Sequence, residues 1–285
     1  MKNKLKNIFS KIPLGMNLRN YLILASNPFS SMLLAKNKVA TKKLLSKNGI
    51  ATAKTILEID SVWNLRLLEN LPDEFVIKPS SGSGGAGILV LKKKEAFFVD
   101  PSGQQHSLQQ IKKHIRKILD GEFSGSAYDD VAIIEERIFP SKKIIFKRAA
   151  GLPDIRVFCV NFKPVMAMMR YSTKETQGRA NLSAGAIGLA IDIATGKISH
   201  VHTKKKDVKI TTKDLGIPAD FVMPKWEQIK KIAVKSSKVS GLVISGIDVI
   251  LDADDNVLVL EINGRPGIEI QNVNEESLLE IMQKI

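Results

Sequence analysis

Phe75–Leu91 reads FVIKPSSGSGGAGILVL, and the order of its parts decides the fold. A strand-like run, Phe75-Val76-Ile77-Lys78, leads into a glycine-rich loop, and Ile88-Leu89-Val90-Leu91 follows as a second strand-like run. The loop formally contains G-x-G-x-x-G at Gly82, Gly84 and Gly87. A dinucleotide fingerprint needs a helix after the last glycine, so that a pyrophosphate can sit on the helix N-terminus. A strand stands there instead, which excludes the doubly wound dinucleotide fold. A Walker A loop is excluded as well, because Ile88 occupies the place of its lysine. What remains is a glycine loop joining two antiparallel strands. Gly82, Gly84, Gly85 and Gly87 leave backbone N–H groups bare, a surface that suits phosphate. Lys78 lies just before it and can reach the same anion.

Outward from this loop, hairpins alternate with helices. Val39–Asn48 reads as a helix closed by Gly49, and Ala51–Leu57 as a strand. Ser61 is placed to cap a helix that Pro72 stops, and Leu108–Leu119 has helical spacing. Val131–Ile138 is an apolar strand with acids near its end. Hairpins are expected around 161–163 and 194–196, a helix over Trp226–Val239, and a last hairpin of Ile244–Leu251 with Val257–Asn263. Mixed helices and hairpins indicate an α+β fold.

The last hairpin places two acids together. With Ala253–Asn256 as a four-residue turn, residues whose numbers sum to 509 face each other. Asp252 then opposes Val257, Ile250 opposes Val259 and Asp248 opposes Glu261. Cross-strand Cβ atoms lie about 5 Å apart, and Asn263 shares the face of Glu261. Adjacent carboxylates in an apolar hairpin repel unless a cation lies between them. Three oxygen donors suit Mg2+ or Mn2+, which keep positions open for phosphate oxygens.

Asp154 and Arg156 open a strand, Arg170 closes its partner, and Arg179 and Asn181 follow. Arginine forks of this kind hold phosphate or carboxylate, and the alternative is surface charge. The four histidines show no ligand spacing, and Cys159 alternates within a strand as a core residue.

The formal charge of the 285-residue chain is +14, and it is unevenly spread. Eleven basic and no acidic residues lie before Glu58, leaving 32 of the 43 basic residues against all 29 acidic ones in the rest. With aromatics at 6% and a nearly neutral body, nucleic acid is not the expected partner. Leu5, Ile8, Phe9 and Ile12 form one apolar stripe among lysines. Residues 1–12 thus suit either an anionic membrane surface or docking on the main domain. A single cysteine points to a reducing, cytoplasmic setting, with membrane-peripheral contact as the variant.

Lys38, FVIKPSSGSGGAGI, Glu136-Arg137-Ile138, PDIR, RANLSAGA, GIDVIL and LEINGRPG occur in the order of the ATP-grasp superfamily. The chain resembles its RimK-type glutamate ligases. MAMMRYST, ANLSAGA and PGIEIQNVN are similar to the glutamate ligase-related, sugar-transfer-associated group.

That resemblance implies an ATP-grasp fold of two α+β lobes with ATP between them. The lobes would be 38–135 and 136–285, behind a basic segment 1–37. It implies that Lys38, Lys78 and the Gly82–Gly87 loop contact phosphates and that Glu136-Arg137-Ile138 meets adenine. It also assigns Asp154 to the ribose, and Arg179 and Asn181 to the phosphates. Asp248, Glu261 and Asn263 would hold magnesium, and Arg170 and Arg179 would be the catalytic cations. The implied reaction joins a small-molecule or peptide carboxylate to an amine through an acyl phosphate. A phosphotransferase with a hydroxyl acceptor, or a non-catalytic nucleotide-binding subunit, would use the same ATP residues. Two departures stand out: 37 residues precede Lys38, too few for the usual first domain, and Ser183 replaces a histidine common after A-N-L.

Overall fold

A computed structural model describes residues 13–82, 84–124, 129–173, 176, 180, 182, 185–204 and 210–283. The chain forms two compact units. One comprises Lys36–Lys42 and Thr52–Ile138, the other Met1–Ala35, Lys43–Ala51 and Phe139–Ile285. The mixed α+β architecture expected from the hairpins and helices is present in both.

In the smaller unit, six antiparallel strands run in the order β1 (Thr55–Ile59), β6 (Ala132–Glu136), β2 (Glu74–Pro79), β3 (Leu89–Lys94), β4 (Phe97–Val99) and β5 (Gln105–His106). The glycine stretch joins β2 to β3 with no helix after it. Helix α4 (Leu108–Leu119) buries Ile111, Ile115 and Ile118, spaced by four and three on one face. Ser107 and Gln110 close a reciprocal capping box at its start. The expected strand Ala51–Leu57 lies further along, at Thr55–Ile59. The expected helix after Ser61 is a 3-10 helix, Val62–Asn70, and the Ser61 side chain makes no cap bond.

The larger unit has a second antiparallel sheet, ordered β10 (Ile198–His202), β9 (Ile187–Ile191), β8 (Lys163–Tyr171), β7 (Asp154–Val160), β11 (Ile244–Leu251) and β12 (Val257–Asn263). Strands β7 and β11 are buried at every residue, so polar side chains on them need partners within the fold. Asn161 and Phe162 both take positive φ, the two-residue turn that matches hairpin twist. Helix α5 (Trp226–Ser240) ends on Gly241 in the left-handed region.

Sequence reading missed α1 (Met16–Ser26), α2 (Phe29–Lys36), α6 (Glu269–Asn274) and α7 (Leu278–Gln283). The first two helices are stitched into the larger unit. The Asn27 amide donates to the carbonyls of Ile244 (2.8 Å) and Gly264 (3.2 Å) and accepts from Ile244 N–H (2.9 Å). Leu14 and the Gln271 side chain exchange two further bonds. Helix α3 (Lys38–Lys47) ends at Gly49, which has φ +63.

The β11–β12 register differs from the expected one in an informative way. The turn is Ala253–Asp255, one residue shorter than read. Asp252 N–H donates to Asn256 O and Asp255 has positive φ. Leu251 therefore faces Val257 and Ile250 faces Leu258. A bulge between Asp248 and Val249 then takes up one residue of β12, and Asp248 faces Glu261 after all.

Candidate active site

One face of the larger sheet carries a row of charge across four strands. Arg170 on β8 is paired with Asp154 on β7, and Arg156 on β7 is paired with Asp248 on β11. Asp248 is in turn paired with Glu261 on β12. Asp154 and Arg156 share a face because they are two residues apart in a strand. Arg156 forks onto Asp248, with Nε to Oδ1 and Nη2 to Oδ2 both 2.7 Å. Arg170 forks onto Asp154 at 2.6 and 2.5 Å and also donates from Nη2 to Asp248 Oδ2 at 2.7 Å. The Asn263 amide donates to the same Oδ2 at 3.1 Å.

These contacts order the charges. Burial alone would push the Asp248 carboxyl up, but Arg156 and Arg170 outweigh it and hold the group below the usual carboxylate range. For Asp154, burial wins over Arg170, the Asp248 charge adds to it, and the carboxyl is pushed up. Arg170 is raised: burial opposes its charge, but Asp154 and Asp248 more than offset that. Arg170 thus bridges Asp154 and Asp248, whereas the cation expected from the sequence, Mg2+ or Mn2+, concerns the neighbouring pair Asp248 and Glu261. Three acids against two arginines still leave one negative charge on this face.

That remainder bears on a metal. Among the described residues no group of three or more His, Cys, Asp or Glu is arranged to hold one. The set to test is Asp248, Glu261 and Asn263. Asp248 Oδ1 accepts one bond, from Arg156 Nε, so it keeps a lone pair. Glu261 is half-buried and makes no ion pair among the described residues. Asn263 uses its NH2 on Asp248, which leaves its oxygen as an acceptor. Two carboxylates and an amide oxygen with net negative charge fit a hard divalent cation.

The smaller unit holds a separate cationic cluster. Lys42 and Lys78 both pair with Glu135, Lys78 at 2.7 Å, and all three side chains are largely buried. Lys42 also donates to Ala53 O at 2.6 Å. Burial pushes its ammonium down, against the pull of Glu135. Lys38 Nζ donates to Gly82 O at 2.5 Å, inside the glycine stretch. The sequence reading missed Lys42 and Glu135. The link appears only in the strand pairing: Val76 pairs with Glu135, so Glu135 sits diagonal to Lys78 on one face of β2 and β6.

The glycine stretch is held at both ends. A Cβ on Gly82 would meet Pro79 Cγ at 2.4 Å, and one on Gly87 would meet the Phe123 ring at 2.7 Å. His114 bonds Gly87 O at 2.9 Å. A Cβ on Gly84 or Gly85 would meet nothing within 4 Å. Both Gly84 and Gly87 have positive φ. Gly84→Ala is expected to cost about 1 kcal/mol, from backbone strain alone. Gly87→Ala is expected to cost about 3 kcal/mol, because strain is joined by overpacking against Phe123. Urea unfolding of the two variants checks the order, and equal midpoints would refute it.

The other expected residues fall as follows. Glu136 lies at the end of β6, pairs with Lys54 at 2.8 Å, and gives its N–H to Lys54 O. Arg137 bonds Glu74 at 3.0 Å, and Ile138 is half-buried. Arg179, Asn181, Ser183 and residues 1–12 lie outside the described residues.

The family model described as sugar-transfer associated ATP-grasp covers residues 17–285. The chain belongs to that family. This ATP-grasp chain is 34% identical over 116 residues to a probable alpha-L-glutamate ligase 1 of Shewanella oneidensis, covering 41% of the chain and 27% of that ligase. It is 21% identical to the alpha-aminoadipate–LysW ligase of Saccharolobus solfataricus, over 89% of the chain and 71% of that protein. The D-alanine–D-alanine ligase of Bacillus anthracis, solved with ATP, superposes with a TM-score of 0.54 at 16% identity. That match covers 90% of the ATP-grasp chain and 68% of the ligase. The chain thus spans between 27% and 71% of the two curated relatives named, and the likeness to the solved structure establishes the fold.

Proposed function

We propose that the protein is an ATP- and magnesium-dependent carboxylate–amine ligase that works through an acyl phosphate. The observation that carries this reading is the Arg170–Asp154, Arg156–Asp248–Glu261 row on a buried sheet face. It keeps a net negative charge and oxygen donors for a cation while fixing two guanidinium groups beside them. Relatives named as ligases support the reaction class.

In this reading Lys38, Lys42 and Lys78 meet the phosphates, with Gly84 and Gly85 presenting unobstructed backbone. Magnesium held by Asp248, Glu261 and Asn263 would offset charge on the transferring phosphoryl group. Arg156 and Arg170 are locked by their carboxylates, so their remaining N–H groups would be fixed donors that need not reorganise during the reaction. A substrate carboxylate oxygen attacks the γ-phosphorus, ADP leaves, and an amine then displaces phosphate from the acyl phosphate. Arg179 and Asn181 are proposed phosphate contacts on the family pattern. No protein nucleophile takes part.

Incubating the protein with ATP, Mg2+, a pool of carboxylates and hydroxylamine tests the chemistry. ADP release with a hydroxamate product is expected, because hydroxylamine captures an acyl phosphate. ADP release with a stable phosphoester and no hydroxamate would replace the ligase with a phosphotransferase.

A further inference from the structure

Six of the thirteen exposed large apolar residues among those described fall between Met16 and Leu33. They are Met16, Leu18, Tyr21, Leu24, Phe29 and Leu33. Helix α1 buries Ile23 in the core and α2 buries Met32 and Ala35. Each helix therefore already spends one face on the fold. Its opposite side is also apolar. Leu18, Tyr21 and Leu24, three apart, climb the outer side of α1, with Tyr21 67% and Leu24 62% exposed. Phe29 and Leu33, four apart, share the outer side of α2, with Phe29 73% exposed, and Lys36 continues that side. Apolar exposure concentrated in this way marks a contact surface.

We propose that the outer faces of α1 and α2 dock on an anionic lipid surface. Charge selects this occupant. Residues 1–36 carry six lysines and arginines and no acid, and Lys36 is exposed at the end of the outer side of α2, so this segment attracts a negative surface. A second copy of this chain is disfavoured, because a two-fold contact would set two such acid-free regions against each other. Tyr and Phe beside Leu are side chains that rest well at a lipid headgroup boundary. Among the described residues no helix is long and apolar enough to cross a membrane, so the contact is one of lying on the surface. This inference concerns the N-terminal helices and does not depend on the ligase reading.

The test is flotation of the full chain with vesicles of phosphatidylcholine alone or mixed equally with phosphatidylglycerol. The mixed vesicles are expected to bind about tenfold more protein, with the gain falling at high salt. The triple variant Tyr21→Ser/Leu24→Ser/Phe29→Ser keeps all six cations of residues 1–36 and should lose about tenfold in binding while melting with the wild type. If that variant floats like the wild type, or if the wild type binds neither vesicle, the proposal fails. A wild-type dimer in sedimentation that the triple variant abolishes, without vesicle binding, would assign the surface to a second copy instead.

Discussion

Replacing Asp248 with Asn is expected to destabilise the protein by about 3 to 5 kcal/mol, the loss typical of breaking a buried ion pair from one side. The carboxylate accepts N–H groups from Arg156, Arg170 and Asn263, and its side chain is only 3% exposed. An amide keeps the shape but turns a donor toward two guanidinium groups, which carry no acceptor. Arg156 has no other acceptor among the described residues, so it bears most of the loss. Glu261→Gln is the contrast. Its carboxylate has no ion-pair partner among the described residues, so its stability should stay within about 0.5 kcal/mol of wild type. Denaturant midpoints for the two variants measure the difference. An Asp248→Asn protein that unfolds with the wild type would mean the arginine row contributes nothing to the fold.

The second large effect is expected at Glu135. Glu135→Gln leaves Lys42 and Lys78 buried together with no carboxylate, which is expected to cost about 3 kcal/mol at neutral pH. The loss should depend on pH in a stated direction. Lys42 already has its ammonium pushed down by burial, and Glu135 is what opposes the push. Without Glu135 the folded-state value falls further below the unfolded 10.5. The unfolded chain then binds more protons, so stability rises with pH. The variant should therefore regain part of its deficit as pH climbs toward that unfolded value. Thermal melts of both proteins from neutral to alkaline pH read this, and a deficit constant with pH would refute it.

How legible these clusters were depends on whether the chemistry follows chain order or sheet pairing. The pairing of Asp248 with Glu261 was legible from the numbering of the last hairpin, because the shorter turn and the bulge beside Val249 offset each other. Helix 108–119 was found because Ile111, Ile115 and Ile118 repeat against a polar remainder. Arg156 and Arg170 were named, but not as the partners of Asp248 and Asp154, since those pairs cross strands distant in sequence. Lys42 was passed over because nothing local distinguishes it from the lysine beside it. Only its burial against β6 does so. Helices α1 and α2 were missed for a different reason. A helix apolar on its outer side as well as its inner one has no alternation to read, and the feature that hid these helices is the one that suggests a lipid partner.

The bulge in the last hairpin has a consequence for insertions and deletions. Because the turn is one residue short of the regular spacing, a chain lacking Leu260 would pair β11 and β12 without interruption. Asp248 would still lie opposite the glutamate, and Val257 and Val259 would still point inward. Leu260 is therefore dispensable for who meets whom across the strands. Its contribution is a local increase in twist one residue from the acids. Homologues that differ by this single codon would keep the same partners and aim them along a different line.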